Sequence, residues 1–307
     1  MRIAVFDLGT NVFNLLAGRM GENGFRIEKI VKEPSFIGSS ARFSDLIPEE
    51  VIESALIAIG RMICQCPDFE EIDIVKAVAT SAVRDALNRE EFVNAVKKNF
   101  GIDVEVISGE REAMLIYKGI RESMFLYDEN VLMLDIGGGS CEFIIADGEK
   151  ILWKASFQIG VARLREAVNP SDRISADEII RFEEMVKQAL LPLAEQIEIY
   201  KPKVLIGSSG SFDTIRELMF PEDDGSVPAM ELPIDRYNDL HTRLINSTRA
   251  ERIAMPGMPS IRVDYIVLGG MIIDYVIKKC GIEEMLQSAY SLKEGYAVEI
   301  AEMVNGK

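Results

Sequence analysis

The chain has 307 residues, of which 48% are hydrophobic and 27% charged, and a formal net charge of −16. That length exceeds one ordinary core and suits two lobes of ~100–200 residues each, and the composition is that of a globular chain rather than a disordered one. The acidic balance excludes a broad nucleic-acid surface, so a phosphate-bearing ligand would have to be held by focused donors: loop amides, a few arginines and a metal ion.

Arg2–Asp7 (RIAVFD) reads as a short buried strand and, after the turn GTN, Val12–Ala17 (VFNLLA) as a second. GENG at 21–24 is a hairpin turn and FRIEKIVKE a third strand. Pro48 starts a helix to about Cys64, with Val51, Leu56, Ile59 and Ile63 on one stripe. Glu71–Thr80 contains the next strand. Asn88 and Glu91 are spaced as a capping box for a helix that Phe100-Gly101 stops. Asp103–Ile107 is a strand, and Ser108-Gly109 leads into a helix from about Glu110 to Ile120.

The second half begins the same way. Val131–Asp135 (VLMLD) is a strand, GGGS a turn, Cys141–Ala146 (CEFIIA) a strand, DGEK a hairpin turn and ILWKASFQIG a third strand. Ser175 and Glu178 form another capping box, for a helix reaching about Ile197. Val204–Gly207 is a strand that SSGS delivers into a helix over Phe212–Met219. PEDDGSVPAMELP, 221–233, is a surface loop by composition, and helices follow from Arg236 to the end, broken around PGMPS, 256–260. Asp7-x-Gly9 and Asp135-x-Gly137 stand at equivalent places, 128 residues apart. A duplicated β-meander lobe with appended helices implies two similar domains facing each other across a cleft.

Several chemistries drop out. The nine uncharged residues between Asp264 and Asp274 are too few for a spanning helix, which needs ~20, and Asp7 comes too early for a signal peptide. Cys64 and Cys66, two apart on an expected helix, point to different faces, and His241 is the one histidine. A zinc site is therefore not expected; a cytoplasmic chain with reduced thiols is. With His241 as the one histidine a Ser–His–Asp triad is not expected, and no G-x-x-x-x-G-K-[ST] loop occurs. Carboxylates, arginine and a metal remain.

The turns carry the strongest signal. Gly137, Gly138 and Gly139 lack Cβ atoms, so their N–H groups can line a phosphate-sized concavity, and Ser140 adds a hydroxyl. Gly9, Thr10 and Asn11 offer the same in the first half, although Asp7-Leu8-Gly9 alone reads equally well as a tight hairpin. Asp135 ends the strand beneath GGGS. A carboxylate beside phosphate calls for a cation, and Mg²⁺ is the natural choice. Glu142 is a second metal ligand, or an acceptor for water. Gly207-Ser208-Ser209-Gly210-Ser211 opens a helix where anions are favoured, or is a plain strand–helix turn. Arg84 could bind phosphate and Glu112, in the first turn of its helix, could orient water; taken alone, both are ordinary surface residues.

The segments VFDLGTNVFNLL, ATSAVRDALN, VEVISGEREAMLIY, LDIGGGSCEFII, IGVARL, IGSSGSFDTI and LKEG, in this order and over nearly the whole chain, resemble the exopolyphosphatase / guanosine pentaphosphate phosphohydrolase (Ppx/GppA) family. The resemblance implies an α/β, actin/hexokinase/sugar-kinase-like (ribonuclease H-like) fold of duplicated lobes, over about 1–123 and 124–288, with a C-terminal helix of about 289–307 returning to the first lobe. It implies release of orthophosphate from inorganic polyphosphate or pppGpp with Mg²⁺ or another divalent cation. Position by position, Glu112 is similar to the catalytic glutamate of S-G-x-x-E-A and Arg84 to the arginine of T-x-x-x-R. Asp135 and Glu142 match the acids of D-I-G-G-G-S-x-E. Asn11, Gly137 to Ser140 and Gly207 to Gly210, with Gly9, Thr10, Ser209 and Ser211, match the phosphate loops.

Val12 and Asn14 stand where many members have serine and histidine, and Cys141 where threonine is usual. A histidine-bearing C-terminal extension of longer members is not expected here, which argues against a processive grip on long chains. The expected partners are polyphosphate or guanosine penta/tetraphosphate, with no nucleic acid and no membrane; a homodimer is left open. A non-catalytic (p)ppGpp or nucleotide sensor is the alternative, and a small-molecule kinase of the same fold comes third.

Overall fold

Short apolar runs joined by tight turns build the first sheet. The computed structural model describes residues 1–21, 24–35, 37–40, 46–124, 126 and 129–304. β1 (Arg2–Leu8), β2 (Val12–Gly21) and β3 (Gly24–Pro34) form an antiparallel meander. The expected turn at 21–24 has residues 22–23 outside the described set. After α1 (Ile37–Ser40) and α2 (Glu49–Cys64) come β4 (Ile74–Ala79), α3 (Ser81–Arg84), α4 (Arg89–Phe100), β5 (Val104–Val106) and α5 (Gly109–Ser123). The sheet order is β3-β2-β1-β4-β5, with β4 parallel to β1 and β5 parallel to β4. On α2, Val51, Ile52, Ala55, Ala58, Ile59 and Met62 are buried, one stripe at helical spacing that joins Phe6, Leu8, Phe13 and Leu15 in the core.

The second sheet starts with two strands buried along their whole length, β6 (Val131–Ile136) and β7 (Cys141–Ala146), followed by β8 (Ile151–Phe157). Next come α6 (Val161–Val168), α7 (Ala176–Ala189), α8 (Leu191–Tyr200), β9 (Val204–Ser208), α9 (Ser209–Met219), β10 (Ala229–Glu231), α10 (Ile234–Ile245), α11 (Arg249–Ile253), α12 (Ile266–Cys280) and β11 (Glu284–Ser288). The order is β10-β11-β9-β6-β7-β8. Read from β8, its first five strands repeat the arrangement of the first sheet. The echo holds at the level of residues. Asp7 pairs across the strands with Asn14 and Leu8 with Phe13, while Asp135 pairs with Glu142 and Ile136 with Cys141. The chain therefore has the two-lobed α/β, actin-like architecture. By contacts it divides into Met1–Gly119 with the stretch from Ser291 onward, and Ile120–Tyr290. The last helix, α13 (Leu292–Val304), packs on β1, β2 and β3 of the first unit.

The structure corrects five local expectations. The helix expected to run to Ile197 breaks at Leu190, because Pro192 has no N–H and its ring cannot follow a continuous turn. The all-helical ending contains β11, which lies between β9 and β10; EMLQS carries no strand pattern, and tertiary pairing overrides its propensity. The surface loop 221–233 yields β10. Asn88 does not cap α4: its side chain accepts from Ile47 N at 2.8 Å and donates to Ile47 O at 3.0 Å, so the loop before α2 takes the capping atoms. Cys64 ends α2 and is exposed, whereas Cys66 lies beyond the helix and is buried. The Ser175–Glu178 capping box forms with both of its bonds. Among the described residues, no helix is long and apolar enough to cross a membrane.

Candidate functional site

In the first unit the β1–β2 turn is anchored from one side. Ser35 Oγ donates to the carbonyls of Gly9 (3.1 Å) and Thr10 (2.8 Å), Gly38 N also donates to Thr10 O (3.0 Å), and Ser35 N donates to Asn11 O (3.0 Å). A trans peptide plane that turns its C=O one way turns the next N–H the other way. The amides of Thr10, Asn11 and Val12 therefore face away from Ser35. Thr10 Oγ1 and Ser81 Oγ are 2.9 Å apart, which ties the turn to the start of α3. Asn11 is buried, and its Nδ2 has no hydrogen-bond partner among the described residues. A buried, unsatisfied donor costs about 1–3 kcal/mol, a cost that an external acceptor would remove.

The second unit repeats the device with α6 as the anchor. Val161 N donates to Gly137 O (3.0 Å), Ala162 N and Arg163 N to Gly138 O (2.9 and 3.2 Å), and Arg163 Nε to Gly139 O (3.0 Å). With these three carbonyls turned to α6, the N–H groups of Gly138, Gly139 and Ser140 face the opposite way. The packing is so close that a Cβ on Gly160 would lie 2.4 Å from Gly138 C and O.

Asp135 and Glu142 are cross-strand partners beside this turn, 6% and 1% exposed. Their side chains share one face of the sheet, where like charges repel unless compensated. Ser208 Oγ (2.9 Å) and Ser209 Oγ donate to Asp135 Oδ2, and Ser156 Oγ donates to Glu142 Oε1 at 2.6 Å. The expected loop at 207–211 is not a loop: Gly207 and Ser208 end β9, and Ser209, Gly210 and Ser211 form the first turn of α9. Ser209 has φ +65°, left-handed space that costs a non-glycine residue about 1–3 kcal/mol and recurs at functional sites.

Glu112 and Arg84 meet in the first unit. Arg84 Nη1 donates to Glu112 Oε2 at 2.9 Å and to Ile107 O at 3.3 Å, and its Nε lies 3.5 Å from Asp85 Oδ1. Ser108 opens α5, its Oγ accepting from Arg111 N and its carbonyl from Glu112 N. Glu112 is only 8% exposed, so neither it nor its partner is an ordinary surface residue.

The Ppx/GppA phosphatase family model matches residues 32–303. The chain belongs to the Ppx/GppA phosphatase family. It is 26% identical to Exopolyphosphatase 2 of Mycobacterium tuberculosis, over 98% of both chains. Among solved structures, an exopolyphosphatase from Cytophaga hutchinsonii superposes with TM-score 0.94 at 34% identity, covering 100% of this chain and 98% of that one. The Aquifex aeolicus Ppx/GppA family member superposes with TM-score 0.82 at 25% identity, covering 99% of both.

For this Ppx/GppA chain, Mg²⁺ fits the donor set. All candidate ligands are hard oxygens, and no cluster of three or more His, Cys, Asp or Glu able to hold a metal occurs among the described residues. Two neighbouring carboxylates suit an ion that keeps waters and takes phosphate oxygens, rather than an all-protein cage. Two departures from the family pattern have visible roles. Asn14 Nδ2 donates to Asp7 Oδ2 at 2.9 Å, and the Cys141 thiol donates to Ile159 O at 3.4 Å. The sequence reading missed Arg262, whose guanidinium lies where a Cβ on Gly210 would be, 1.7 Å from Nη2. Burial lowers its pKa against the opposing pull of Asp213, Glu217 and Asp135. The available signal was an arginine between the PGMPS break and an apolar helix.

Proposed function

We propose that the chain releases orthophosphate from the terminal phosphoanhydride of inorganic polyphosphate. The observation that carries this reading is the pair of D-x-G turns, each with three consecutive amides turned away from its anchored carbonyls. Such nests hold phosphate oxygens. The relatives named exopolyphosphatases favour polyphosphate as the first substrate to test, with pppGpp second.

In this reading Glu112 accepts a proton from water as the water oxygen bonds to the terminal phosphorus. The bridging P–O bond breaks, giving orthophosphate and a chain one phosphate shorter. Arg84 fixes the Glu112 carboxylate and presents positive charge to the transferred group. In each unit the amides of its own D-x-G turn bind phosphate oxygens, beside Asn11 Nδ2 in the first unit and the Ser140 hydroxyl in the second. Asp135 and Glu142 are the residues that would hold Mg²⁺, which would supply positive charge beside the GGGS turn. Ser208 and Ser209 orient Asp135. A cytoplasmic setting with reduced thiols goes with this chemistry.

The test is a panel of short polyphosphate, long polyphosphate, pppGpp and ATP, each with and without Mg²⁺. Mg²⁺-dependent orthophosphate release from polyphosphate is expected. Tight binding of pppGpp with no turnover of any substrate would replace the hydrolase by a sensor.

A further inference from the structure

Glu112 leaves the first turn of α5, so its direction depends on how that helix is rotated and on how β5 delivers it. α13 fixes both. Arg111, one residue before Glu112, donates through Nη1 and Nη2 to Glu299 of α13, with Nη1 to Oε2 at 2.8 Å. Lys118 Nζ, two helical turns further along α5, lies 3.3 Å from Glu299 Oε2 and donates to Glu302 at 2.7 Å. Glu299 is therefore gripped by two cations on one face of α5, and its side chain is 9% exposed. Tyr296, one turn earlier on α13, donates to Glu105 of β5 at 3.1 Å, and the Arg111 guanidinium sits over its ring at 6.0 Å.

The two helices also touch backbone to backbone. A Cβ on Gly295 would lie 1.8 Å from Leu115 O, and one on Gly119 would lie 1.9 Å from Ser291 O. Arg111, Leu115 and Gly119 form one row along α5; Ser291, just before α13, with Gly295 and Glu299 on it, forms the facing row, running antiparallel. A contact this close leaves no slack for α5 to roll, and the ion pairs set the angle at the end that carries Glu112. Charge-assisted, bidentate arginine–carboxylate bonds add directional precision as well as energy.

We propose that Glu299 is a positioning residue for Glu112, acting through Arg111 and the rotation of α5; this rests on the reading of Glu112 as the base. A carboxylate displaced by about 1 Å loses on the order of 100-fold in rate. The experiment measures orthophosphate release from polyphosphate for the wild type, Glu299→Gln and Glu299→Asp, and for Glu299→Gln in a Glu112→Gln background. Melting temperatures are recorded alongside.

Glu299→Gln is expected to lower kcat by about 10- to 100-fold with KM within about threefold, and Glu299→Asp to fall between it and the wild type. In the Glu112→Gln background the same change is expected to move the residual rate by less than about twofold, because the base it positions is already gone. Equal losses in both backgrounds, or an unchanged kcat in Glu299→Gln, would overturn the positioning role while leaving Glu112 in place. A Glu112→Gln enzyme at wild-type rate would instead remove the proposed base, and this inference with it. Should Glu299→Gln not fold, Arg111→Gln carries the same comparison with the same outcomes.

Discussion

Replacing Gly160 by alanine strikes the GGGS turn without changing any residue of the turn itself. Gly160 has φ −62° and ψ 155°, ordinary extended backbone, so alanine meets no torsional objection there. The objection is space: the new Cβ would lie 2.4 Å from Gly138 C and O and 2.5 Å from Gly139 C. Ordinary contact begins near 3.4 Å, so α6 and the turn must separate by about 1 Å. Overpacking of this kind costs about 1–3 kcal/mol of stability. The same shift moves the amides of Gly138, Gly139 and Ser140, and a 1 Å misplacement is worth on the order of 100-fold in rate. The assay pairs kcat/KM for orthophosphate release from polyphosphate with calorimetric binding of orthophosphate. Gly60→Ala is the control; its nearest neighbours are Phe100 ring atoms at 3.8 Å within a helix. That change is expected to add about 0.5–1 kcal/mol of stability and leave activity alone. A Gly160→Ala enzyme with wild-type kcat/KM and phosphate affinity would refute the argument that this turn holds the phosphate.

Removing the Asn11 amide, which has no partner among the described residues, with Asn11→Ala is expected to leave the melting temperature unchanged or raise it, while KM for polyphosphate rises about tenfold; a lower melting temperature with unchanged KM would count against a ligand-facing Asn11. Glu178 is held down to about 2 by the Ser175 amide and the Ser171 hydroxyl, against an ordinary value of 4.5. A depressed carboxylate stabilises the fold above its ordinary value and loses that contribution as pH falls toward the depressed one. The melting gap between the wild type and Glu178→Gln is thus expected in full at pH 7 and to close between about pH 4.5 and pH 2; a gap independent of pH would contradict the capping-box account. A thiol reagent at pH 8 is expected to modify Cys64 alone in the native protein and all four cysteines after denaturation, because Cys66, Cys141 and Cys280 are buried and burial pushes Cys280 up to about 12. Rapid native labelling of two or more thiols would contradict that packing.

Much of this molecule is legible in its sequence where local chemistry and the final fold agree. The two meanders announce themselves through short apolar strands, D-x-G turns and a fixed 128-residue spacing, and the structure pairs Asp135 with Glu142 as it pairs Asp7 with Asn14. Residues fixed by distant partners are less visible. Nothing in EMLQS marks a strand, since β9 and β10 make it one. Asn88 has the spacing of a cap, yet Ile47, 41 positions away, takes its side chain. Arg84 and Glu112 look like unrelated surface residues along the chain, and only the turn of Ile107 and Ser108 joins them at 2.9 Å. Arg262 meets Gly210, and Glu299 meets Arg111, only across segments distant in the chain, so the sequence alone gives little sign of either contact.

The most direct measurement is orthophosphate release from polyphosphate, in the presence of Mg²⁺, by the wild type and by Glu112→Gln. General-base catalysis contributes about 10²–10⁴-fold, so the variant is expected to fall by at least about 100-fold in kcat while still binding phosphate. Equal rates for the two proteins would contradict the assignment of Glu112 and the hydrolytic mechanism built on it.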